Sequence, residues 1–185
     1  MTVRYMGIFF EGESAEFIKR MQPTPLEYTN DELHCTFKYR PQDEELFEDI
    51  IGQEVEVYLI GYGCDGKNSG FEIAFDDAYD PFYINYHEDK KNEDGSPILK
   101  PKHITVSLAK NAKPAKTKDL DFIRLTNPIP VKGRFGYWIS KSSVILVFIN
   151  PQHPVLLNSP KYPELFSFFL LLLQRWLRRS LLRYS

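Results

Sequence analysis

An α+β fold built mainly from antiparallel strands is what this sequence predicts, on three observations. Segments rich in β-branched and aromatic residues recur between residues 3 and 149, several alternating with period two. Only two stretches in that span carry helical spacing, and the gaps between segments hold turn formers. Finally, 185 residues with 43% hydrophobic and 15% aromatic side chains suffice for one sizeable core, which excludes a disordered chain.

Val3 to Phe10 is apolar and aromatic around Gly7 and reads as a buried strand. Ser14 opens a helical spacing through Phe17, Ile18 and Met21, ended by Pro23 and Pro25. A turn at Asn30-Asp31 leads into a strand over Glu32 to Arg40, and Asp43 caps a short helix with Leu46, Phe47, Ile50 and Ile51 inward. Glu54 to Tyr62 puts Val55, Val57 and Leu59 on one face of a strand, and the glycine-rich Gly61 to Gly70 predicts a hairpin into Phe71–Phe75. Residues 82–86 predict one more short strand, followed by a loop at Asn92 to Pro97 and a strand around His103. Lys110, Lys113, Lys116 and Lys118, interrupted by Pro114, predict a basic loop or frayed turn. Strands over Phe135–Ser140 and Val144–Ile149 complete a first unit, residues 1–158.

The tail, residues 159–185, differs in composition. Leu165 to Leu173 is almost wholly apolar, and Arg175, Arg178, Arg179 and Arg183 bring the tail to +4 against a whole-chain charge of -2. The apolar run is shorter than the ~20 residues that span a bilayer, which leaves a helix docked on the core or a partner, or one lying in a membrane interface. With pI near 6.1 the chain lacks the basic surface of proteins that grip long nucleic acid, so small or short substrates are favoured. Two cysteines make no disulfide framework and no cleavable signal pattern opens the sequence, so a reducing, cytoplasmic setting is expected.

Two near-duplicate cores carry the chemistry: Leu33-His34-Cys35-Thr36-Phe37-Lys38-Tyr39 and Lys102-His103-Ile104-Thr105-Val106-Ser107-Leu108. Strand residues alternate faces, so His34, Thr36 and Lys38 share one side of the first, and His103, Thr105 and Ser107 one side of the second. At ~3.3 Å per residue, histidine and threonine stand ~6.6 Å apart, within reach of one phosphate group. Phosphodiester hydrolysis needs a base for the attacking oxygen, an acid for the leaving oxygen and donors for the non-bridging oxygens. Two imidazoles, one neutral and one protonated, with two hydroxyls supply these without a metal or other cofactor. The pseudo-symmetry of the cores lets either histidine be the base, and positive charge on the Lys110 to Lys118 segment, which lowers a neighbouring imidazole's pKa, weakly favours His103 as the neutral base and His34 as the acid.

The sequence resembles the 2H phosphoesterases, a superfamily defined by two H-x-T/S motifs flanked by apolar residues. Leu33-His34-Cys35-Thr36-Phe37 fits that pattern throughout, His103-Ile104-Thr105-Val106 fits its second half, and the histidines lie 69 positions apart, from 34 to 103. An Arg-containing hydrophobic opening strand and a helix before the first motif resemble the RNA ligase-like cyclic phosphodiesterase branch, with roughly residues 3 to 150 covered. The resemblance implies a bilobal, pseudo-two-fold α+β fold with mainly antiparallel sheets and outer helices around a central cleft, each lobe giving one H-x-T strand. It implies catalysis by His34 and His103, phosphate binding by Thr36 and Thr105, and as substrate a 2′,3′-cyclic phosphate, a 2′-5′ linkage or a cyclic oligonucleotide, the partner being a nucleotide or short RNA. The residues after Ser159 look like nothing in that pattern and leave peripheral membrane or partner contact open.

Each candidate has a plainer reading. A strand histidine is commonly a hydrogen-bonded core residue and threonine simply a good strand former. Lys38 and Ser107 are placed for phosphate contact or as solvated strand ends, and Tyr137 and Trp138 for stacking a base or for core packing. Cys35 points to the opposite face as apolar filler. His87 with Asp76, Asp77, Asp80, Glu88 and Asp89 has the residue types for a divalent ion but no regular ligand spacing, and His153 looks structural or exposed. A module that binds a nucleotide or RNA end without cleaving it is the alternative function, although binding alone does not require intact histidines in both cores.

Overall fold

The computed structural model describes residues 2–42, 50–140 and 146–147. Strand β1 (Thr2–Phe10) takes up the opening apolar run, and α1 (Gly12–Arg20) follows. Ala15 and Ile18, three residues apart, form the buried side of α1, while Glu16 and Lys19 pair at 3.0 Å on its outer side. Then come β2 (Tyr28–Thr29), β3 (Leu33–Tyr39), β4 (Glu54–Cys64), β5 (Asn68–Phe75), β6 (Tyr86–Lys91), β7 (Pro97–Leu99), β8 (His103–Leu108), β9 (Ile123–Ser140) and β10 (Leu146–Val147). Two 3-10 turns, Asp77–Phe82 and Pro114–Asp119, punctuate the chain. The expected α+β class is met by a sheet-rich chain with little helix.

Eight strands form one antiparallel sheet in the order β2-β8-β5-β4-β9-β1-β3, with β10 also paired to β9, and β6-β7 form a separate hairpin. Outward from the central β4–β9 pair, the neighbours are β5 then β8 on one side and β1 then β3 on the other. The two flanks share a register. Gly7, Ile8 and Phe9 of β1 face Thr36, Cys35 and His34 of β3, just as Gly70, Phe71 and Glu72 of β5 face Thr105, Ile104 and His103 of β8. A register shift falls immediately before each of those glycines, between Met6 and Gly7 and between Ser69 and Gly70. A Cβ on Gly7 would overlap the Cys35 carbonyl oxygen, and one on Gly70 the Ile104 carbonyl oxygen. Each H-x-T strand is thus approached at its middle residue by a glycine of its neighbour, because only a residue without a Cβ lets the two backbones come that close.

Alternation puts Leu33, Cys35 and Phe37 of β3 and Ile104 and Val106 of β8 into one common core, with Phe71, Phe75, Tyr83 and Phe135. Phe37 packs edge-on against Tyr83 and Phe135, at 5.2 and 5.5 Å between ring centroids. The sheet therefore curls until β3 and β8 stand close together, and loops link them. The Asn30 amide N–H donates to Val106 O at 2.8 Å, Ile84 N–H donates to Phe37 O at 3.2 Å, and the Asn85 side-chain amide donates to Thr36 O at 2.9 Å.

Two stretches depart from the sequence expectation. Residues 82–86 are not a strand: Tyr83 N–H bonds Asp80 O to close a turn containing Pro81, and the strand begins only at Tyr86. The side chains decide this, since the Tyr83 hydroxyl donates to Lys100 O and Pro101 O at 3.0 and 3.1 Å and holds the segment against the approach to β8. Strand β9 is much longer than Phe135–Ser140, and its prolines lie at tolerant places. Pro128 falls where the β4–β9 ladder is interrupted, between Ile129 and Arg124, and at Pro130 the strand has a described partner on one side only.

The expected helix at 43–51 lies outside the described residues except for Ile50 and Ile51, both buried as anticipated. The strand expected at Val144–Ile149 is described only as Leu146–Val147, and His153, the boundary at 158 and the tail 159–185 lie outside the described residues. Among the described residues no helix is long and apolar enough to cross a membrane.

Candidate active site

His34 and His103 leave the core on the same kind of strand position and are held in the same way. His34 Nδ1 is 3.0 Å from Glu32 O, and His103 Nδ1 is 2.7 Å from Pro101 O, in each case the carbonyl two residues back. A carbonyl accepts only, so Nδ1 carries the proton as donor and each Nε2 is left with its lone pair. Both histidines thus present the same nitrogen in the same tautomer. They are also close enough for the charge of one to lower the pKa of the other, and Cys35, between His34 and Thr36, lies against the His103 main chain.

Their surroundings differ. The Tyr5 ring stacks on His34 at 4.5 Å and 22°, Phe9 lies 5.7 Å away, and Trp138 stacks on the far side of Tyr5 at 5.5 Å and 9°. Burial holds the His34 pKa far below its ordinary 6.5, to about 4, against the opposing pull of the Glu32 carbonyl. Burial also lowers His103, opposed by the Pro101 carbonyl, and the charges of Lys100 and Lys118 lower it further while Asp119 raises it. The expected lowering of His103 by lysine charge is present, but it does not single out that ring. One residue of the lysine-rich segment, Lys118, does act on His103, but desolvation depresses both rings and His34 needs no lysine to be neutral.

The threonines are not equivalent either. Thr36 is part-exposed, and among the described residues its hydroxyl has no hydrogen-bond partner. Thr105 is 9% exposed and donates to Thr117 Oγ1 at 2.9 Å, under the Pro114–Asp119 turn. Thr117 in turn accepts from the Asn68 side-chain amide at 3.2 Å.

Of the further candidates, Lys38 and Trp138 lie part-exposed, Lys38 on the histidine face of β3 and Trp138 stacked over Tyr5. Ser107 is a correction. It is fully buried, its hydroxyl donates to Gln22 Oε1 at 2.6 Å, contacts Ser69 Oγ at 2.7 Å and accepts from Leu26 N–H at 2.9 Å, so nothing remains for a phosphate. Tyr137 is a second correction: at 1% exposure within the core it has no face to offer a base. Cys35 is buried as filler, with burial pushing its thiol up to about 12. Among the described residues no group of three or more His, Cys, Asp or Glu side chains could hold a metal ion, so His87 and the acidic residues near it do not converge.

Sequence reasoning missed Tyr5 and Lys100. Tyr5 had a usable signal, since a tyrosine four residues before Phe9 shares its face on a strand paired to the motif. Lys100 had none, because its place depends on the loop preceding β8. No protein-family model matches the chain, and no curated protein matches it. Function is therefore argued from the site.

Proposed function

We propose that this chain is a phosphodiesterase of the 2H type that hydrolyses a nucleotide phosphodiester by paired-histidine acid-base catalysis, without a metal. One observation carries the reading: two imidazoles on register-matched strands, each with Nδ1 tied to the carbonyl two residues back and Nε2 free to exchange a proton. The two flanks of the sheet are then the two lobes of the fold, and the cleft lies along the histidine faces of β3 and β8.

Neutral His34 takes a proton at Nε2 from the attacking oxygen as that oxygen bonds to phosphorus. Protonated His103 gives its Nε2 proton to the leaving oxygen as the other P–O bond breaks, so the pair ends with the proton moved across and returns to its start by exchange with water. A bound phosphodiester supplies the negative charge that raises an imidazole pKa, offsetting at His103 the depression that burial and Lys100 and Lys118 impose in the free protein. Thr36 donates to a non-bridging oxygen, and the buried Thr105 positions its strand through Thr117.

The test is incubation of the full chain with 2′,3′-cyclic nucleotides, 2′-5′ oligoadenylate and cyclic dinucleotides, each with and without EDTA. Turnover that survives chelator is the expected result. Tight binding with no turnover on any of the three classes would replace the enzyme by the binding module, and turnover lost in EDTA and restored by a divalent ion would remove the metal-free mechanism.

A further inference from the structure

The described residues bring lysines from three separate segments together beside His103: the charges of Lys100 and Lys118 act on its ring, and that of Lys38 acts on Lys100. Lys38 extends the histidine face of β3, two positions beyond Thr36. Lys100 is placed by its backbone, whose N–H donates to Asn85 O at 2.8 Å while the Asn85 side chain holds Thr36 O at 2.9 Å. Lys118 belongs to the turn that covers Thr105 through Thr117. All three are partly buried rather than solvent-extended, which for Lys100 and Lys118 is an unusual state outside an ion pair.

Nearby lysines are already committed. Lys102 pairs with Asp80 and lies 3.9 Å from the Phe75 ring centroid, while Lys90 and Lys116 share Asp119 at 3.9 and 3.4 Å. Among the described residues Lys100 and Lys118 make no ion pair. The charges of Lys118 and Lys38 both act on Lys100, offset in part by the exposed Glu88 and Asp89. His87, two residues after Asn85, feels Lys90, Lys118 and Lys100, and its buried Nδ1 has no hydrogen-bond partner among the described residues. A cluster of half-buried cations with an unanswered ring nitrogen beside it is electrostatically incomplete, and an anion completes it.

We infer that Lys100 and Lys118, with Lys38 and His87 at the margin, form a second phosphate subsite next to the histidine pair, so that the substrate carries at least one phosphate besides the one that is cleaved. The inference rests on the phosphodiesterase reading for the first phosphate. It selects, within that reading, a short or cyclic oligonucleotide over a nucleoside cyclic monophosphate. The chemistry recognised is a phosphate monoanion or dianion, held by charge-assisted hydrogen bonds from ammonium groups.

Binding and turnover are measured separately on the full chain at constant ionic strength. A nucleoside 3′,5′-bisphosphate should bind at least about tenfold more tightly than the 3′-monophosphate, the worth of one hydrogen bond to a charged group. That margin should shrink to within about twofold in the Lys100→Gln, Lys118→Gln double variant, with monophosphate affinity changed far less. Equal affinity for the two ligands in the wild-type protein, or a margin that survives both substitutions, overturns the subsite. A dinucleotide ending in a 2′,3′-cyclic phosphate should likewise show a lower KM than the mononucleotide. If the bisphosphate preference is found but nothing is hydrolysed, the subsite stands and the enzyme reading falls. If both substrates are hydrolysed without preference, the reverse holds.

Discussion

The β3 and β8 flanks of the sheet use one backbone plan and two different chemistries. In both, a glycine after a register shift lets the neighbouring strand press against the middle residue of H-x-T, and in both the histidine ring is tied by Nδ1 to the carbonyl two residues back. Yet His34 is packed under Tyr5 and Phe9, whereas His103 feels Lys100, Lys118 and Asp119, and the Thr36 hydroxyl is open where that of Thr105 is spent on Thr117. The backbone ties the two rings alike, and their neighbours give them different surroundings. On the proposed mechanism, an apolar surround suits a base that stays neutral and a cationic one suits an anionic substrate.

The largest effect should come from removing one ring. His34→Ala and His103→Ala should each lower kcat/KM on a cyclic nucleotide by at least ~10²-fold, and the double variant should fall little further, because groups acting as one unit are strongly non-additive. Two losses that simply multiply would mean the rings work independently. Imidazole titration by NMR in the presence of a non-hydrolysed phosphate should place His103 above His34, and the opposite order would exchange base and acid.

The shared backbone plan is tested by Gly7→Ala and Gly70→Ala. Each added methyl meets a carbonyl oxygen of the motif strand, so each should cost about 2 kcal/mol of stability in urea denaturation, the cost of overpacking a site that cannot yield. A large effect at one glycine and none at the other would mean that the two flanks are not built alike.

A smaller contrast separates the threonines. If the proposed role holds, Thr36→Val should reduce kcat by about tenfold with the melting temperature nearly unchanged, since among the described residues its hydroxyl bonds nothing else. Thr105→Val should instead cost about 1 kcal/mol of stability through the lost bond to Thr117.

A last contrast is pH-dependent. His34 has a pKa of about 4 in the folded chain against an ordinary 6.5, so between these values the unfolded chain holds a proton that the folded one lacks. Stability should therefore rise with pH across that window and fall on acidification towards pH 4, by up to about 3 kcal/mol from this group. His103, also lowered, acts with the same sign. In His34→Asn the melting temperature should depend less on pH over the same range.

Local pattern was enough to determine the strand character of β1, β3, β4, β5 and β8, the helix after Phe10, and the placing of both histidines and both threonines on one face of their strands. Each of these follows from period-two alternation or helical spacing within a few residues, which the chain carries in its own order. Which of those outward-facing side chains remain available depends on packing between elements. Ser107 shares the face of His103, but Gln22 and Ser69, brought from other elements, take its hydroxyl. Tyr137 and Trp138 are adjacent, and pairing with β1 turns one into the core and stacks the other on Tyr5. Lys100 and Lys118 lie 18 positions apart, and meet because Asn85 and Thr117 anchor their segments around the two motif strands. Alternation specifies a direction relative to the strand, while burial and charge depend on what the rest of the chain lays across it, and those contacts join residues tens of positions apart.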